Sequence, residues 1–93
     1  MNFTQQIEAE LDYWEAHGDV SPTLIEVFNV FYIDLGMECM AMVAFCLEHH
    51  DDPGLIKKRL DEDSKDQLEI YGDLYPELVT LHEALHRRFC KDF

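Results

Sequence analysis

Apolar positions recur at helical spacing along almost the whole chain, and proline and glycine fall between the periodic segments, so the pattern predicts an all-α fold. Phe3, Ile7, Leu11 and Trp14 line one face of a first helix over about 4–17, which Gly18 is placed to end in the left-handed cap that glycine adopts cheaply. Ser21 and Pro22 read as an N-cap followed by proline at the first helical position, and they open a long helix over about 22–50. Leu24, Ile25, Phe28, Phe31, Tyr32, Leu35, Cys39, Met42, Val43 and Cys46 cover most of its circumference, the mark of a helix buried from several sides. Gly36 is its position for a kink or a close helix contact.

Asp52-Pro53 begins a further helix carrying Leu55, Ile56 and Leu60. Ser64-Lys65-Asp66-Gln67 has capping-box spacing, so either one continuous helix reaches Tyr71 or a separate short one starts at Ser64. Leu78, Leu81, Leu85 and Phe89 are the core stripe of a last helix over about 76–90. The expectation is one acidic domain over 1–93, a bundle of four to five helices around the long apolar one. Three other short helices offer little cover for helix 22–50, so a homodimer packed through Phe28, Phe31, Leu35 and Met42 is also expected.

Charge changes this picture from a fold to a function. Twenty acidic side chains against seven basic ones give −13, beyond the roughly 2 to 8 units that keep a small domain soluble. Self-repulsion at that charge opposes compaction, so the excess is best explained by a basic partner. With 47% hydrophobic and 12% aromatic residues the chain folds, which sets disorder aside. Cations cluster only at Lys57-Lys58-Arg59 and Arg87-Arg88, too few for direct nucleic-acid binding or for an anionic membrane.

The imbalance is local. Residues 1–56 hold 11 acids and no Lys or Arg, whereas 57–93 hold 9 acids and all 7 cations. Glu8, Asp12, Glu15 and Asp19 step along the first helix by four, three and four residues, with Asp19 joining only if the last turn runs past Gly18. Carboxylates one turn apart sit about 6 Å apart, on the order of the phosphate spacing of a nucleic-acid strand. Such a row is expected to enter a basic groove built for DNA or RNA, which makes the chain a nucleic-acid mimic and an inhibitor of its partner. In size and charge it is similar to phage inhibitors of host defence nucleases (anti-CRISPR-type proteins), to immunity or antitoxin-type proteins and to secretion chaperones. A free row of this kind repels itself, so stability is expected to rise as pH falls from neutral toward about 5.

The three cysteines are an odd count, and the opening residues lack the pattern of a secretory leader. Reduced thiols and a cytoplasmic setting are expected. Glu26, Asn29, Asp34 and Glu38 interrupt the most apolar segment, so no membrane span is expected.

His82-Glu83-Ala84-Leu85-His86 resembles the zincin H-E-x-x-H motif over five residues, which implies zinc held by His82 and His86 with Glu83 as general base. Glu83 and His86 also fit half of the carboxylate-bridged di-iron motif of ferritin-like bundles. On the helical wheel His82 lies about 60° from the core centre, His86 about 100° and Glu83 about 160°, so Glu83 points to solvent. The chain is therefore read as a non-enzyme without cofactor, with a zinc site at His82 and His86 as the alternative. Glu48-His49-His50-Asp51-Asp52 is read as histidines meeting a negative helix end and aspartates opening the next helix.

Overall fold

The helices follow the predicted pattern except between Ser21 and Ile33. The computed structural model describes residues 2–90 and contains α1 (Phe3–His17), α2 (Leu24–Val27) continued by a 3-10 turn (Phe28–Val30), α3 (Ile33–Glu48), α4 (Pro53–Tyr71) and α5 (Pro76–Phe89). Among the described residues there is no strand, and no helix is long and apolar enough to cross a membrane.

Asn2 starts α1 through a capping box: its side chain accepts from Gln5 N–H at 2.9 Å while the Gln5 side chain accepts from Asn2 N–H at 3.0 Å. Gly18 ends it at φ 74°, its N–H donating to Trp14 O. Gly18→Ala is therefore expected to lower stability by about 1 kcal/mol, read from denaturant unfolding, because a Cβ strains that conformation. Ser21 does not open a helix. Its hydroxyl bonds Glu10 on α1, and Thr23 Oγ1 donates to the same carboxylate at 2.7 Å, so the two hydroxyls tie the loop to α1 and α2 begins at Leu24.

The expected helix over 22–50 is broken. Phe31 and Tyr32 are extended (ψ 160° at both), and Phe31 N–H donates to Phe28 O. Across the break Phe31 packs edge-on against Phe3 and Tyr75, and Tyr32 packs against Tyr71 and the same Tyr75. Gly36 is not the bend but the close contact beside it. A Cβ there would stand 3.4 Å from Phe28 O.

Phe28, Phe31, Leu35 and Met42, expected across a dimer interface, are all buried within one chain. Leu35, Cys39, Met42 and Cys46 of α3 meet Ile56 and Leu60 of α4 and Leu78, Leu81 and Leu85 of α5 in one core, and α5 packs against α1, α3 and α4. α4 runs unbroken through Ser64 after an Asp52 cap on Leu55 N–H. Burial pushes the Cys39 and Cys46 thiols up to about 12, so both pack as small apolar groups.

Candidate interaction surface

Three of the four predicted α1 acids share one counter-ion. Glu8, Asp12 and Glu15 project from successive turns toward α5, where Arg88 lies with its side chain only 18% exposed. Its Nη2 is 2.6 Å from Glu8 Oε2, and its Nη1 is 3.0 Å from Asp12 Oδ1 and 2.9 Å from Glu15 Oε1. Arg87 adds a contact to Glu8 at 3.2 Å. Burial by itself would lower the Arg88 pKa, but the hydrogen bonds the guanidinium donates to Glu8, Glu15 and Asp12 outweigh it and hold it more firmly charged than usual. The stripe is thus a clasp between α1 and α5. Asp19 lies beyond Gly18 and accepts from Val20 N–H, so it is not part of the row. The expected gain of stability on acidification assumed a row without a counter-ion, and Arg88 supplies one to Glu8, Asp12 and Glu15.

The His82–His86 segment is divided between core and surface. His82 is 3% exposed, with Nε2 3.0 Å from Gln67 Oε1 on α4 and Nδ1 without a partner. Burial, and to a lesser degree His86, lower its pKa to about 4 against the opposing pull of Asp63. His86 is half-exposed, with Nε2 4.0 Å from Asp61, while Glu83 faces solvent. His82 thus faces a neutral amide, and among the described residues no three His, Cys, Asp or Glu side chains converge as a metal would require. α3 ends at Glu48, so His49 is its C-cap, packed on Phe45, and neither His49 nor His50 lies in its last turn, whereas Asp52 caps α4 as expected.

A different surface keeps its negative charge free. On α3 the side chains turned away from the core include Ile33, Asp34, Met37, Glu38, Ala41, Ala44 and Glu48: apolar or acidic without exception. Ile33 is 79% exposed, Met37 65% and, across a groove on α2, Ile25 58%. Each is followed in sequence by an exposed acid, Asp34, Glu38 and Glu26, and none of those acids enters an ion pair among the described residues. Tyr32 stands at the rim, its hydroxyl donating to that of Tyr71 at 3.0 Å. That bond, then burial and the nearby Glu38 and Asp34, pushes the Tyr32 pKa up to about 12.

Periodicity puts Ile25 and Tyr32 on the buried faces of one continuous helix and does not mark Ile33 or Met37, whereas all four are exposed around the break. A signal was present: repeated apolar–acid pairs in a segment with no cation. Arg88 was visible only as part of a basic pair, and nothing in its spacing identified α1 as its partner. Gln67 had a signal too, seven residues after Leu60 on the face of α4 that enters the core.

The fold and this surface define the chain as a small acidic all-α bundle with an apolar, acid-edged outer face. Compared with known protein families, curated proteins and solved structures, it matches none.

Proposed function

We propose that this chain is a non-catalytic binding protein that covers a basic surface of a partner, acting as an inhibitor of a nucleic-acid-handling protein or complex. The observation that carries the reading is the segregation of charge: residues 2–56 contain no Lys or Arg, and Glu26 on α2 and Asp34, Glu38 and Glu48 on α3 enter no ion pair among the described residues. Such a field steers a cationic partner and repels nucleic acid, membranes of like charge and a second copy. A homodimer on this face would bring Asp34 and Glu38 against acids of the same kind, so the partner-binding form is proposed to be the monomer. The placement of Glu83 in solvent and of His82 on Gln67 supports a role other than catalysis.

The test begins with the partner captured from the native host, whose affinity is then measured from about 0.05 to 0.5 M salt. Affinity is expected to fall steeply with salt. Neutralising the face by Glu26→Gln, Asp34→Asn and Glu38→Gln is expected to weaken binding at least about tenfold and to flatten the salt dependence. Neutralising Glu8, Asp12 and Glu15 instead is expected to lower stability and leave affinity nearly unchanged. Binding indifferent to salt and to the first set of changes would overturn the reading.

A further inference from the structure

We infer that the groove beside the Phe31–Tyr32 break receives one large apolar side chain from a segment of the partner that carries Lys or Arg one helical turn to either side. This rests on the proposed function and names the chemistry by which the partner is recognised.

The groove exists because the chain is broken. Phe28 and Phe31 turn inward to form its floor, and Gly36, without a side chain, keeps that floor open where a Cβ would approach Phe28 O. Its walls are Ile25, Ile33 and Met37. The space measures about 160 Å³, close to the ~150 Å³ of an apolar cavity that takes up a benzene ring. One Phe, Leu or Ile side chain fits. The unbranched thioether of Met37 adapts its shape to whichever enters, and the three wall residues, exposed to water in the free chain, gain burial when it does.

The rim selects the flanks of the incoming segment. Asp34 and Glu38 each follow a wall residue directly and lie near Tyr32 at the groove's edge, and no cation from residues 2–56 offsets them, whereas Glu26 faces the neighbouring hollow beside Glu10 and Thr23. Asp34 and Glu38 are one turn apart on α3, about 6 Å along its axis, which matches basic residues at i and i+4 of a partner helix. Tyr32, close to both acids, offers its ring face to the same cations. A second copy would meet this rim with like charge, and an anionic lipid surface would do the same.

Selection from a library of random 16-residue peptides against the intact chain tests the inference without knowledge of the natural partner. Enriched peptides are expected to share one Phe, Leu or Ile with Lys or Arg one turn away. A synthetic copy is expected to bind at least about tenfold more weakly to Met37→Ser and to the Asp34→Asn, Glu38→Gln pair. These exposed changes are expected to leave the thermal midpoint within about 4 °C, so weaker binding reports contact and not unfolding. Cationic peptides without an apolar anchor, or binding unaffected by Met37→Ser, would overturn the groove and leave the basic-partner proposal standing. Apolar peptides without cations would remove both. No enrichment over the Met37→Ser protein, or a dimer in sedimentation that Met37→Ser dissolves, would assign the face to another occupant and end the inference.

Discussion

Lowering the pH from 6.5 to 4 is expected to remove about 3 kcal/mol of folding stability through His82 alone. Burial lowers the folded-state pKa from 6.5 to about 4, so between those values the unfolded chain takes up a proton that the folded chain refuses. Stability therefore rises with pH across the window; it is intact above 6.5 and lost on descent toward 4. The groups facing the imidazole do not rescue it: Gln67 is neutral, Asp63 draws the pKa up only in part, and His86 lowers it further. Urea unfolding at pH 7 and pH 4.5 measures the effect, with His82→Leu, Gln67→Leu as the comparison. Replacing both partners leaves no orphaned amide in the core. Between those two pH values the double variant is expected to lose roughly 2.5 kcal/mol less than the wild type, and equal slopes would contradict the assignment.

Arg88→Ala is expected to cost about 2 kcal/mol, between the small value of exposed ion pairs and the larger one of buried pairs, because the guanidinium is mostly covered while its three carboxylates are not. Loss of the cation leaves Glu8, Asp12 and Glu15 facing one another along α1. Salt then separates the two states of the clasp. Added salt is expected to weaken the wild-type pairing slightly but to stabilise Arg88→Ala by screening that repulsion. Arg87→Ala serves as the control: with one contact from a largely exposed side chain it is expected to cost less than about 0.5 kcal/mol. Equal losses for Arg87 and Arg88 would show that the network adds nothing beyond surface pairing.

The helical parts were legible for simple reasons. Leu78, Leu81, Leu85 and Phe89 repeat at helical steps, and the same wheel that buried them set Glu83 outward; the structure agrees on each. Gly18 caps α1 as expected. The break at Phe31–Tyr32 was not legible, since no proline or glycine marks it and the apolar pattern continues across it. What accompanies the break is packing between distant segments: Phe3 meets Phe31, Tyr71 meets Tyr32, and Tyr75 meets both.

The same division runs through the candidate site. Periodicity and composition by themselves determined an all-helical chain, its core stripes and a cation-free acidic half, because helix burial and net charge depend on residues near one another or on counts alone. Only the tertiary structure decided which acids are free. Arg88 lies more than seventy residues from Glu8 in sequence and 2.6 Å from it in space. That contact turns the obvious acidic row into an internal clasp, while Glu26, Asp34 and Glu38, next in sequence to Ile25, Ile33 and Met37, enter no ion pair among the described residues, because a carboxylate's field depends on its nearest counter-ion, and proximity is set by folding.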